Sequence, residues 1–348
     1  MAQINKPTDY FNTVLWTGNG TDDRSITGVG FKPDWVWYKE RSNVGDHTVH
    51  DIVRGAGERL FTADTSAESL DANSLQAFET DGFQIGTNTD VNGNGETYVG
   101  WNWLASNTTA SNTDGSITST VSASTTSGFS IVSWTGTGSA TTVGTGLSST
   151  PKLIIVKNKT DAVNWMVYHH SVITASSTNK SFMTLNTTDA LGTNGTATTF
   201  TSVSDTTFGV GTDNIVNGSG DSMIAYCFAE KKGFSKFGSY TGNGSADGTF
   251  VYTGFKPAMV IIKRTDSSTG ANWLLLDSKR SDINTVNENL FANLSDAETS
   301  TDRCDFLSNG FKLRQTGTTV NTSGGSYIYM CFAESPLVGT NNIPAVAR

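Results

Sequence analysis

The chain predicts an all-β fold of three tandem antiparallel β-sandwich modules of jelly-roll type. Three observations carry this. An aromatic-Thr-Gly-x-Gly turn recurs at residues 16–20, 134–138 and 240–244, and seventeen positions after each aromatic residue a proline (Pro33, Pro151, Pro257) opens an apolar run. Both markers step by 118 and then by 106 residues, a self-similarity that marks an array of one repeated unit. Charged residues make up only 16% of the 348, glycine contributes 36, and Ser, Thr and Asn crowd between β-branched and aromatic runs. That mix favours many short strands joined by polar turns over helices.

Residues 1–12 read as an anchor segment, and 13–105 as the first module. Residues 106–127 read as a Ser/Thr-rich linker carrying an added first strand of the second module, 128–232; the third module is 233–348. Within each module the same signals follow in order. The runs after the prolines, 35–39, 153–157 and 259–263, are apolar at consecutive positions and end in Lys39, Lys157 and Lys263. A continuous run predicts a strand covered on both faces, and proline is tolerated at its start. A second apolar or aromatic segment follows at 47–53, 164–168 and 272–276, and one helix or helical turn is expected near 64–78. Turn-plus-strand signals come at 81–85, 207–210 and 309–313, with Asp-Gly and Asn-Gly accepting positive φ. The closing strands, 98–104, 223–229 and 327–333, are apolar on both faces, which predicts a central sandwich strand.

A formal charge of −9 repels phosphate backbones and anionic lipid, so neither nucleic acid nor a membrane is an expected partner. The opening residues are polar and no apolar stretch approaches 18 residues, which predicts folding in a cytoplasm. Cys227 and Cys331 occupy matching positions of two modules and Cys304 is left over; three free thiols are expected, with no disulfide framework.

Catalytic motifs are missing: there is no Gly-x-Ser-x-Gly elbow, phosphate loop or His-Glu-x-x-His. No catalytic residue and no cofactor are therefore assigned. His47, His50 and Asp51 lie close in sequence, but the other modules place different residues there, which favours packing over a metal or a general base. Asp90, Asn92 and Asn94 fit the opening half of a calcium loop, with a glycine sixth. The closing carboxylate would fall at Trp101, so a glycine-rich hairpin turn is preferred over a bound cation. Trp35, Trp37, Trp101 and Trp103 align with aliphatic or other aromatic residues and are expected in the core; Trp165 and Trp273 are left open between core and sugar platform. The carboxylates Asp46, Asp51, Asp277 and Asp282 cannot be paired for glycoside hydrolysis from sequence.

Residues 4–11 leading into the first Trp-Thr-Gly-x-Gly turn, with 30–33, 233–240, 254–257 and 332–336, resemble virion proteins of marine bacteriophages. These are tail-fibre-like or uncharacterised proteins built from lectin-like modules. The resemblance implies a concanavalin-like or laminin-G-like sandwich and a non-enzymatic structural role, as a tail fibre or spike touching host-surface glycan through module loops. A capsid decoration or head-fibre protein is the first alternative and a polysaccharide depolymerase the second. It further implies contact with other virion proteins, a homo-oligomer (a trimer favoured), and residence in the virion after folding in host cytoplasm and release by lysis. It assigns no catalytic residues.

Overall fold

The computed structural model describes residues 3–178, 180–193, 195, 197–339 and 344–346. It is an all-β protein of antiparallel sheets. One strand order occurs three times. An opening strand (Phe11–Thr17, Phe129–Thr135, Ser235–Thr241) pairs with a closing strand (Thr97–Trp103, Ser222–Ala229, Ser326–Pro336). The closing strand pairs in turn with the proline-led strand (Trp35–Glu40, Pro151–Asn158, Phe255–Arg264). Next come a middle strand (Thr48–Asp51, Met166–His169, Leu274–Asp277) and a rim strand (Gly55–Phe61, Met183–Thr184, Val286–Phe291). A three-stranded sheet lies against each of these: Arg24–Thr27 with Gly82–Ile85 and Leu75–Glu79, Thr141–Gly144 with Thr207–Val210 and Phe200–Val203, and Phe250–Tyr252 with Gly310–Leu313 and Thr299–Leu307. In the third copy the rim strand runs on into the small sheet, so all eight strands form one continuous order.

The three copies share one core. Tyr98, Val36 and Tyr38 face the first copy's own small sheet with Phe83 and Ile85, as Tyr327, Tyr329 and Val260 do in the third with Phe311 and Leu313. The opposite faces of the large sheets meet each other. Trp35, Trp37, Trp101 and Trp103 join Ile155, Tyr226 and Phe228 and then Ile261, Met330 and Phe332 in a single cluster. Trp103, Phe228 and Phe332 hold the same register position in their sheets and touch pairwise, with ring centroids 5.5, 5.7 and 6.4 Å apart. This triangle marks an internal threefold arrangement. It also explains why the closing strands are apolar on both faces, which the sequence pattern alone assigns to the centre of a single sandwich. One face covers the copy's own core and the other covers its two neighbours.

The copies are closed into a ring by equivalent contacts. The Glu68 N–H donates to Lys159 O, Leu191 to Thr265 O, and Glu298 back to Arg41 O, at 2.8 or 2.9 Å. The Trp165 indole donates to Phe61 O at 2.8 Å and the Trp273 indole to Thr184 O at 2.9 Å. The lysines that end the apolar runs are buried, and two of them reach across the same seams. Lys157 Nζ donates to Thr65 O at 3.1 Å and Lys263 Nζ to Thr188 O at 3.0 Å, while Lys39 is capped by Glu40 O and Asn43 O. Removal from water lowers all three ammonium groups to about 8, and the carbonyls they satisfy are what make the burial tolerable.

Two of the expected segments take a definite form and one expectation is corrected. The described part of the anchor segment, from residue 3, packs onto the fold: the Ile4 N–H donates to Lys232 O, and Phe11 stacks on Phe332 at 5.1 Å. Its first two residues lie outside the described residues. Residues 106–127 carry the expected added strand, Ser119–Ser124, and a further one, Ala110–Asn112; both extend the second large sheet beyond its opening strand. No helix forms over 64–78. That stretch supplies Ser69–Leu70 and Leu75–Glu79, since Leu75 and Phe78 are drawn into pairing with Gly82–Ile85. The α-helical turns sit later, at Thr89–Asn92 and Asn214–Asn217, and one 3-10 turn lies earlier, at Pro7–Asp9.

Candidate functional site

The recurring turn is a structural clamp. Its first glycine has no room for a side chain: a Cβ on Gly18, Gly136 or Gly242 would stand 2.0, 2.1 or 2.3 Å from a backbone carbonyl oxygen. Its second glycine, Gly20, Gly138 or Gly244, sits at φ of 67–68°, where other residues are strained. A buried asparagine fastens each turn. Asn92 Nδ2 donates to Thr21 O and Gly86 O, Asn217 Nδ2 to Ser139 O and Gly211 O, and Asn321 Nδ2 to Ser245 O and Gln315 O. The Asn92 Oδ1, a calcium ligand on the sequence pattern, instead accepts from Asn19 N at 3.0 Å and Arg24 Nη1 at 3.1 Å. Asp90 lies 3.6 Å from the Arg59 guanidinium and Asn94 is exposed. Among the described residues no group of three or more His, Cys, Asp or Glu side chains is placed to hold a metal ion.

The histidines and carboxylates also divide among packing tasks. His47 accepts from the Trp37 indole at 2.9 Å and stacks on Trp101, while His50 lies on Tyr38 and meets Ser74 Oγ at 3.2 Å. Burial holds both imidazoles neutral, well below their ordinary range. Asp51 pairs with Arg54 and accepts from Tyr226 Oη at 2.8 Å; Asp277, at the equivalent position, pairs with Arg280 and accepts from the Trp101 indole at 3.0 Å. Each pair seals one seam between copies. The third seam has His169 there, facing Tyr329 O at 3.3 Å and lowered to about 3 by burial. Asp46 is half-buried and Asp282 exposed, so Asp46, Asp51, Asp277 and Asp282 do not converge. The three cysteines are buried free thiols.

All eight tryptophans are buried, Trp165 and Trp273 included. An aromatic contact surface must therefore come from elsewhere, and among the described residues the exposed large rings are Phe250 and Tyr252. They alternate with buried Val251 on an edge strand, so both point outward. Tyr252 borders a cleft of about 770 Å³ between the second and third copies. Its walls carry Lys152, Lys231, Lys232 and Lys236 against Asp205 and Glu230, with Ser148, Ser149 and Thr150 supplying hydroxyls. Lys236 pairs with Glu230 at 2.7 Å, and Lys231 reaches Ser149 Oγ at 3.4 Å. The very short connector between the second and third copies runs along the cleft at Gly233, which has φ of 77°.

One family model, described as a domain of unknown function (DUF7483), matches residues 6–336. The chain belongs to this family. A single model spanning all three copies agrees with the shared core, since the recurring unit includes every seam. No curated protein matches the chain. Sequence reasoning missed the cleft, although a signal was present. Register aligns Val251 with Ile26 and Val143, so Phe250 and Tyr252 stand where the other copies have Ser25 and Thr27, and Thr142 and Gly144.

Proposed function

We propose that this protein is a non-enzymatic virion component of tail-fibre or spike type that touches host-surface glycan. The observation that carries the reading is the outward aromatic pair Phe250 and Tyr252 beside a polar cleft, in a chain whose tryptophans are all interior. A ring flanked by hydroxyl, ammonium and carboxylate groups suits sugars, which offer both C–H faces and hydroxyls. Further support comes from the resemblance of the repeat phrases to phage virion proteins, and from histidines and acids committed to packing. The trimer expected from that resemblance takes a different form in this proposal. The apolar sheet faces that a homotrimer would share are joined within one chain, so a single copy occupies a threefold position.

A second reading, capsid decoration, is favoured by the ring closure: a compact unit with internal threefold order seats on a threefold site more readily than it extends a filament. Labelled antibody on purified particles separates the two. Signal at the tail supports the first, signal over the capsid the second, and no signal on the particle removes both. Release of reducing ends from host polysaccharide by the purified protein would overturn the non-enzymatic part.

A further inference from the structure

We infer that the cleft between the second and third copies binds an acidic polysaccharide, one whose sugars carry carboxylate or sulfate groups. This rests on the glycan-contact reading above and gives it a surface and a ligand chemistry.

Charge is the first argument. The chain carries −9, yet this cleft gathers four of its lysines against two carboxylates. One carboxylate, Glu230, is neutralised by Lys236, and the other, Asp205, accepts a hydrogen bond from the Thr150 hydroxyl. Among the described residues no carboxylate lies within ion-pair distance of Lys152 or Lys232. Both reach the surface, Lys232 fully and Lys152 in part. A concave site focuses such a local field and attracts anions even on an acidic protein. Neutral sugars would gain nothing from this arrangement.

The aromatic pair is the second argument, and it is independent of charge. Residues on the small-sheet strand that face outward are polar or small in the first two copies, and only the third places two aromatic rings there. Tyr252 is 57% exposed and Phe250 42%, so neither is held there by the core. Two residues apart on a strand, their rings follow each other by roughly 7 Å along one face, a stepped apolar platform leading into the lysine cleft. The equivalent place in the second copy is occupied differently: the added strand Ser119–Ser124 lies there, with Val121 and Ala123 close against Gly146. The third copy has no such strand, and its outward face stays open. At about 770 Å³ the cleft has room for two or three sugar units, within the range of ligand sites.

The test is calorimetric titration of the full chain with three probes, alginate oligomers, dextran sulfate and neutral dextran, at low and at raised salt. Binding of one or both acidic polymers and not of dextran is expected, weakened by salt. Tyr252→Ala should weaken that binding about tenfold while Tyr252→Phe keeps it. The double variant Lys152→Glu with Lys232→Glu should abolish it. These are surface side chains, so folding is checked by an unchanged thermal midpoint. No binding by the folded protein, equal binding of neutral dextran, or affinity indifferent to all three variants overturns the inference. If Tyr252→Ala protein loses acidic-polymer binding but still adheres to host cells, host adhesion uses another surface and the inference fails as an account of it, while the virion reading stands. Acidic-polymer binding by a protein absent from purified particles does the reverse: the cleft assignment holds and the virion reading falls.

Discussion

Replacing Trp103 with alanine measures whether the copies unfold together. The indole is fully buried and lies 4.5 Å from Trp35, 4.9 Å from Phe11, 5.5 Å from Phe332 and 6.4 Å from Phe228, so its removal opens a void bordered by all three copies. Such a truncation costs about 3–5 kcal/mol. The consequence for melting depends on the size of the cooperative unit. If all 348 residues unfold as one, the unfolding entropy is roughly 0.7 kcal/mol/K, and the midpoint falls by about 4–7 °C. If the first copy melts alone, its entropy is about a third of that, and its own transition falls by about 12–20 °C while the remainder stays put. The shared core predicts the first outcome. Differential scanning calorimetry distinguishes them directly. A split profile in which a component with about a third of the enthalpy moves by the larger amount refutes the reasoning.

Three further outcomes are expected. Gly136→Ala should cost about 3 kcal/mol or more, because its Cβ would sit 2.1 Å from Gly218 O, whereas Gly220→Ala, at φ 83° with open space, should cost about 1 kcal/mol; urea midpoints compare the two. Asn321→Ala should lower stability by about 3 kcal/mol in the same assay, since it strips the partners from Ser245 O, Gln315 O and the Asn243 N–H together. For Lys157, whose ammonium is lowered to about 8 when folded, the unfolded chain binds the extra proton between about pH 8 and 10.5, so its contribution to stability rises with pH across that window. The stability of the native chain minus that of Lys157→Met should therefore increase from pH 8 to 10. Buried thiols act in the opposite direction at these pH values but cancel in the difference, and a flat or falling difference contradicts the assignment.

Much of the fold was legible because local pattern encodes it. The spacing of turn and proline located the three opening and proline-led strands, and the runs at 35–39, 153–157 and 259–263 are strands buried on both faces. What covered the second face was not legible, because contacts such as Trp35 with Tyr226 join residues nearly two hundred positions apart. The same non-locality hid the role of Lys157 and Lys263. A lysine ending an apolar run reads as a strand terminus, and only the neighbouring copy's carbonyls reveal a buried stitch. His47 drew attention as a titratable group, yet register places it where the other copies have Trp165 and Trp273, and it does the same seam packing. The cleft escaped notice for another reason. Its lysines come from two segments about eighty positions apart, and Tyr252 stands out only once pairing register, not sequence spacing, aligns the copies.

The head-to-tail docking of segment 65–68 on the second copy, 188–191 on the third and 295–298 on the first fixes the number of units at three. An open solenoid needs special end units to cover its last faces and can gain or lose members by duplication. Here the last member's exposed flank is the first member's seat, so a duplicated fourth would find no place and a deleted one would bare two greasy walls. Growth by tandem duplication is closed to this architecture, and its diversity must be sought in surface side chains and in insertions such as the strand pair that opens the second copy.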